Sequence, residues 1–261
     1  DGSVRWLRNL GAAICDEAGR VRALSGLSLD ITDRRRAEIE RDAERERSER
    51  IAAAQFAVAG VLAETSDLHA AMPRIMAALC EFLHWDWSAM WLPRGDALEC
   101  EFTWAREGLP DAAFRQQSEG LRVTRGVGMP GRVWRDGEPA WIADVQQDAN
   151  FPRQAAAAEA GLRSAFALPV LSRGAVIGVL EFFSAELREC DVPMLTTLSA
   201  LSTQIGDFME RLDGQRRLRA SEQRMRLIVD TSLDGVISMD EDGVVTLWSP
   251  QASSIFGWTA D

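Results

Sequence analysis

Residues 163–184 read RSAFALPVLSRGAVIGVLEFFS, and the pattern of this stretch decides the fold. Two apolar runs, Arg163 to Leu171 and Ala175 to Ser184, flank Ser172-Arg173-Gly174. Runs of this kind around a short Gly-containing turn read as a β-hairpin. A tight hairpin makes its strands antiparallel, because parallel strands need a long crossover. Working outward, Trp87 to Leu92 and Leu98 to Trp104 form a second strand pair around Pro93-Arg94-Gly95-Asp96. In the second of these strands, Leu98, Cys100, Phe102 and Trp104 share one face, with Glu99, Glu101 and Thr103 opposite. Trp141 to Ala143 reads as a short strand, Leu121 to Thr124 as a further one, and Pro110 to Gly120 as a short helix.

Helices flank these strands. Ile51, Ala54, Val58, Val61 and Leu62 recur at helical spacing. Asp67 is placed to cap a second helix carrying Leu68, Met72, Ile75, Met76, Leu79 and Phe82. Asp191 caps a third helix that extends past residue 225. In it Leu198, Leu201, Ile205, Phe208 and Leu212 step 3-4-3-4, the spacing of a coiled-coil seam. One small sheet domain is not expected to cover that seam alone, so it predicts parallel homodimerisation. The competing reading is packing within the chain against Ile51 to Leu62. Gly214 interrupts the seam, which resumes out of phase at Leu218 and Met225; register shifts are cheap at such a point.

The two ends differ from the middle. Val4 to Ile31 read as two strands around Asp16-Glu17-Ala18-Gly19, followed by a helix with Thr32 or Asp33 as N-cap. From Asp33 to Arg50, 14 of 18 residues are charged, seven of each sign, so that stretch is a solvated linker helix. After Met225 to Val229 close the third helix, Gly235 to Met239 and Val244 to Trp248 read as another hairpin around Asp240-Glu241-Asp242-Gly243.

The whole chain has 261 residues, 29 basic and 40 acidic groups and a net charge of −11. That balance argues against a nucleic-acid binder, which needs clustered positive charge. No run is long enough to span a bilayer, and no signal peptide is expected. Cys15, Cys80, Cys100 and Cys190 show no CxxC spacing, so neither a zinc site nor a disulfide framework is signalled. Scattered thiols suit a reducing compartment, and the expected location is cytoplasmic. The chain begins with Asp and reads as part of a longer protein.

Four segments now carry a resemblance. GVGMPGRVW (126–134), EPAWIADVQQDANFPR (138–153), GLRSAFALPV (161–170) and AVIGVLEFFS (175–184) resemble, in that order, the GAF domains of bacterial sensory proteins. The likeness spans roughly residues 52–211. RWLRNLGAAICDEAGRVRALSGLSLDITDRR resembles the closing strands of a PAS domain over residues 1–33. SEQRMRLIVDTSLDGVISMDEDGVVTLWSPQASSIFGWTAD resembles the opening of a second PAS domain, with Ser249 where such sequences usually carry Asn. That departure weakens the expectation of the usual turn hydrogen bonds there. The resemblance implies an α+β fold: an antiparallel sheet of about six strands flanked by helices, long linker helices, and partial PAS elements at both ends. It divides the chain into a PAS end (1–33), a charged linker helix (34–51), a GAF domain (52–211), a second linker helix (212–224) and a PAS start (225–261). It implies a sensory or regulatory segment of a multidomain protein, most often a sensor histidine kinase, alternatively a diguanylate cyclase or phosphodiesterase, with the output domain elsewhere.

Catalytic readings fail on the residues. The histidine kinases it resembles require His followed by an acidic residue, whereas His69 precedes Ala70 and His84 precedes Trp85. Neither a kinase nucleotide motif nor a Ser/His/Asp arrangement is present, so the segment is expected to be non-catalytic and metal-free. Gly126 to Gly131 match G-x-G-x-x-G, but a dinucleotide site needs a parallel βαβ unit, so the glycines read as a structural turn into a short helix. A weaker reading keeps the amides of that helix start for an anionic ligand group. Neither Cys80 nor Cys100 has the neighbouring His of a bilin site, and a helix-end His reads as a capping residue before a haem ligand.

The resemblance places a ligand between the sheet and residues 126–163. Trp104, Trp134, Trp141, Phe151 and Phe166 are expected to line the pocket, with Arg132, Asp144, Asn150, Arg153 and Arg163 as polar anchors. The competing reading fills the space with those rings as core and makes the domain a scaffold. The cofactor, if any, stays unnamed. Glu181 lies inside the apolar run Val179 to Phe183. It is expected to face solvent or an edge, the alternative being a pair with an Arg such as Arg163.

Overall fold

A computed structural model describes residues 4–17 and 19–258, with the backbone alone at Arg22 and Leu24. Ala18 of the first turn, the first three residues and the last three residues of the PAS-like stretch lie outside the described residues. The chain opens with an antiparallel hairpin, β1 (Leu7–Cys15) and β2 (Val21–Asp30). Next come α1 (Thr32–Glu64), α2 (Leu68–Leu83), β3 (Trp87–Arg94), β4 (Ala97–Ala105), α3 (Ala112–Gly120), β5 (Arg122–Val123), α4 (Gly128–Asp136), β6 (Ala140–Ile142), α5 (Gln154–Glu159), β7 (Ser164–Ser172) and β8 (Ala175–Ser184). The chain continues as α6 (Val192–Thr231), a short hairpin of β9 (Ile237–Met239) and β10 (Val245–Trp248), and α7 (Pro250–Phe256).

Strands β3 to β8 form one six-stranded sheet in the order β5-β4-β3-β8-β7-β6, antiparallel throughout. The hairpin read from residues 163–184 is its centre. Alternation splits the sheet's side chains between two cores. On one face Phe166, Leu168, Val170, Leu180 and Phe182 meet α1, α2 and α6. On the other Ala165, Ala167, Val179 and Phe183 meet α3, α4 and α5. Both faces of β7 and β8 are covered, which is why these strands are apolar at nearly every position.

The caps separate what was read correctly from what was not. Asp67 accepts from Ala70 N at 3.2 Å and Asp191 from Met194 N at 2.8 Å. At the start of α1 the cap position is Ile31, with no side-chain cap. Thr32 instead accepts from Trp6 N at 2.9 Å, tying the helix to the hairpin. The charged stretch and the apolar stretch of α1 form one unbroken helix of 33 residues rather than two units. Helix α6 likewise runs 40 residues through Gly214, to Thr231. Ser249, despite replacing Asn, does make turn bonds: its hydroxyl accepts from Val236 N at 2.9 Å and Ala252 N at 3.1 Å.

The seam on α6 requires a correction. Leu198, Leu201, Ile205, Phe208 and Leu212 are each at most 5% exposed within a single chain. They pack on β7 and the helix-side core, so the chain covers its own seam and leaves none of these five side chains for a partner. Close approach makes this possible. A Cβ at Gly206 would run into the Leu171 carbonyl, and the Ser202 hydroxyl donates to the Pro169 carbonyl. Beyond Leu212 the apolar side chains Leu218, Met225, Leu227 and Ile228 are exposed.

Candidate functional site

The face of the sheet under α3, α4 and α5 is where the candidate site falls. Glu181 sits mid-strand on β8, opposite Ala89 on one side and Ala167 on the other. The two alanines leave a depression over the sheet, and the Glu181 carboxylate lies in it with no solvent exposure. The expectation of a solvent or edge position is therefore overturned, and the alternative of a pair with a pocket arginine holds, with Arg153 in place of Arg163. Arg153 is 1% exposed. Arg153 Nη2 donates to both carboxylate oxygens, at 2.6 and 2.7 Å, and Nη1 donates to Ser118 Oγ at 2.9 Å. Trp91 Nε1 donates to the second Glu181 oxygen at 3.0 Å. Four rings surround the guanidinium, with Cζ at 5.1 Å from Trp91, 4.8 Å from Phe114, 5.3 Å from Phe151 and 5.4 Å from Phe183. Contacts of this kind stabilise a cation through the ring quadrupole, more so when water is excluded.

The remaining polar residues clasp the cover over this compartment. Asn150 Oδ1 accepts from Gly128 N, and its Nδ2 donates to the Gly126 carbonyl, both at 2.9 Å. Asp148 accepts from Arg132 at 2.6 Å and from Asn150 N at 2.8 Å. Asp144 accepts from Arg163 at 2.9 Å, and this holds its carboxyl below the ordinary carboxylate value. Arg125 lies over the Trp134 ring, 4.1 Å from its centroid. The glycine motif serves the same cover. A Cβ at Gly131 would collide with the Thr124 carbonyl, so the chain closes there as a tight turn into the nine-residue α4. Of the amides at the start of α4, Gly128 N is taken by Asn150.

The expected pocket lining thus separates into three places. Trp134 and Phe151 are in the inner core with Arg153. Arg132, Trp141 and Asp144 line an open surface cleft of about 910 Å³ beside the edge strand β6. Trp104 and Phe166 belong to the helix-side core, where Trp141 also stacks on Phe166 at 5.8 Å. Trp104 and Trp134 lie on opposite faces of the sheet, so a single cavity lined by Trp104, Trp134 and Trp141 is excluded. Ser118, Trp91, Phe114 and Phe183 escaped the sequence reading, and the buried, paired position of Glu181 stood there only as the alternative. The signal available for Glu181 was the unbroken apolar character of its strand, which leaves no solvent-facing side.

The other candidates fall to geometry. His69 is in the first turn of α2, edge-on to Phe102, and His84 is its left-handed C-cap at φ 57°. Both stand at ends of the helix, His69 with its side chain 64% exposed, the places of a surface and a capping residue. Burial pushes the Cys80 thiol up strongly and that of Cys100 up to about 12, the latter with the Glu181 carboxylate adding to it. Neither is a thiolate near neutral pH, and the thiolate is the reactive form. Among the described residues no three His, Cys, Asp or Glu side chains come together to hold a metal, and no helix is long and apolar enough to cross a membrane.

Comparison with known proteins agrees with this architecture. The GAF domain model matches residues 65–210, more than half of the chain, and a PAS fold model matches residues 223–261. The chain belongs to the GAF domain family. No curated protein sequence matches it. Similar solved structures include the GAF domain of a phosphoenolpyruvate-protein phosphotransferase from Coxiella burnetii, at 17% identity over 65% of this chain and 98% of that one, TM-score 0.54. The A. aeolicus nlh2 GAF domain in an inactive state shares 15% identity over 63% of this chain and 98% of that one, TM-score 0.51. Free methionine-R-sulfoxide reductase from Neisseria meningitidis, in complex with its substrate, shares 22% over 60% of this chain and 87% of that one, TM-score 0.50. At these identities the likeness is one of fold. GAF and PAS domains together mark the chain as a sensory or regulatory module.

Proposed function

We propose that this chain is the non-catalytic sensory segment of a cytoplasmic bacterial signalling protein, in which the GAF unit biases the packing of α1 and α6. A sensor histidine kinase is the first choice of parent, with a diguanylate cyclase or phosphodiesterase the alternative. The proposed division is a PAS end at 1–33, a linker at 34–51, the GAF unit at 52–211, a linker at 212–224 and a PAS start at 225–261. One observation carries the reading: the first half of α6 is packed directly on β7, and its second half leads on to the PAS-like residues. Successive residues of β7 and β8 point alternately at the Arg153 compartment and at α6, so a shift on one face moves the other by a single peptide. Such a helix can hold two packings whose populations a signal redistributes. In this reading the homodimer forms through Ile39 and Phe56 of α1 and Leu218, Met225 and Ile228 of α6, which are exposed, whereas the seam is buried.

The test is amide hydrogen exchange along residues 213–231. Asn150→Ala loosens the cover without touching α6, and the reading expects exchange to change in α6 relative to the parent chain. Identical exchange there, with faster exchange confined to residues 126–153, would contradict the relay.

A further inference from the structure

A buried ion pair is an expensive way to fill a core. Replacing such a pair with apolar side chains of like volume is often neutral or stabilising, so its presence calls for another reason than stability. The two halves here also differ in how they are held. Glu181 is on the central strand β8, flanked by β3 and β7, and bonded by the Trp91 indole. Arg153 stands at the cap position of the six-residue α5, at the end of a loop clasped by side chains. The fixed half is acidic and the half on the cover is cationic.

We infer that the compartment is a receptor for a small organic cation, a guanidinium or alkylammonium compound, and that Arg153 occupies it as the chain's own ligand. Withdrawal of Arg153 with α5 leaves a carboxylate, an indole N–H, the Ser118 hydroxyl and the faces of Trp91, Phe114 and Phe183. That is a directed acceptor inside an aromatic box, the arrangement that recognises cations. The space freed is that of one guanidinium and its stem, which sets the ligand's size. An incoming cation competes with Arg153, so its apparent affinity falls by the fraction of chains in which the side chain is withdrawn. Binding therefore takes place with the cover displaced, and occupancy and conformational change are one event. This inference rests on the sensory reading and supplies the chemical class of the signal.

The experiment titrates methylguanidinium chloride into the full 261-residue chain, following tryptophan fluorescence and melting temperature, with sodium chloride at equal ionic strength as the control. Saturable binding is expected in the parent chain. Arg153→Ala removes the competitor and tightens binding at least tenfold, and Glu181→Gln abolishes it. Where Arg153→Ala fails to fold, saturable binding to the parent chain and its loss in Glu181→Gln decide the inference by themselves. Absence of saturable binding to the parent chain, or binding that survives Glu181→Gln, overturns the inference. So does saturable binding of acetate in place of methylguanidinium, which would make Glu181 the displaced group. Binding without any change in α6 exchange upholds this site and overturns the sensory relay. No binding, with α6 still responding to Asn150→Ala, does the reverse.

Discussion

Substituting Leu201 by Asp should unfold the GAF unit rather than dissociate a dimer. Leu201 is 2% exposed and lies with Leu198, Ile205 and Phe208 against the side chains of β7. Losing a leucine from a filled core costs about 2–5 kcal/mol, with the upper end where the surroundings cannot collapse. The close approach at Gly206 and the Ser202 bond hold α6 at a set distance from the sheet, which limits collapse here. The carboxylate adds a further penalty, because it must be buried without a partner or take up a proton. A domain of this size is stable by about 5–15 kcal/mol, so the substitution removes a large share of the total. Urea unfolding followed by tryptophan fluorescence, with sedimentation velocity on the same samples, measures both outcomes. The expected result is a sharply lowered midpoint, or no folded baseline, at every protein concentration. An unchanged midpoint with a halved mass would refute the reasoning and restore the seam to a dimer interface. Leu201→Met, which keeps the volume, should cost less than about 1.5 kcal/mol.

Other consequences follow from the same contacts. Gly206→Ala drives a Cβ into the Leu171 carbonyl and should cost about 1–3 kcal/mol in urea unfolding, with the contacts of residues 126–153 unchanged. Arg153→Met should cost about 3–5 kcal/mol because Glu181 is left buried and unpaired, and adding Glu181→Leu should recover most of it; a double-mutant cycle that sums without coupling would contradict the pair. Asp144 is held below its ordinary 3.8 by the hydrogen bond from Arg163, so what it contributes is present above that value and lost as pH falls through the lower folded value. Asp144→Asn should therefore lower stability in the neutral region and converge with the parent chain at low pH, so that its acid limb is shallower.

Much of the architecture was legible because it is carried by local chemistry. The turn at Ser172-Arg173-Gly174 and the caps at Asp67 and Asp191 each act within a few residues, and each was read in place. The site was harder to read because it depends on which face a strand residue takes and on who meets it there. Phe166 pairs across the ladder with Trp141 and Phe182, which puts all three on the helix side, away from Phe151. Apolar residues at both parities of β7 and β8 already meant two covered faces, which excludes a solvent position for Glu181. That Arg153 is its partner has no sequence signal, since 28 residues separate them and only the fold brings them together. The seam was misjudged for a related reason. Its spacing describes a helix with one apolar stripe, and the stripe is the same whether a second chain or the chain's own sheet covers it.

The relay from compartment to helix is most directly measured by pulsed electron resonance between spin labels at Ile39 on α1 and Leu218 on α6. Both sites are exposed, the exposed Cys15 and Cys190 are first replaced by Ser, and labelled chains are diluted with unlabelled ones. Breaking the ion pair with Glu181→Gln, in a protein that still melts cooperatively, should shift or broaden the distance distribution. Distributions that superimpose with the pair intact and broken would contradict it.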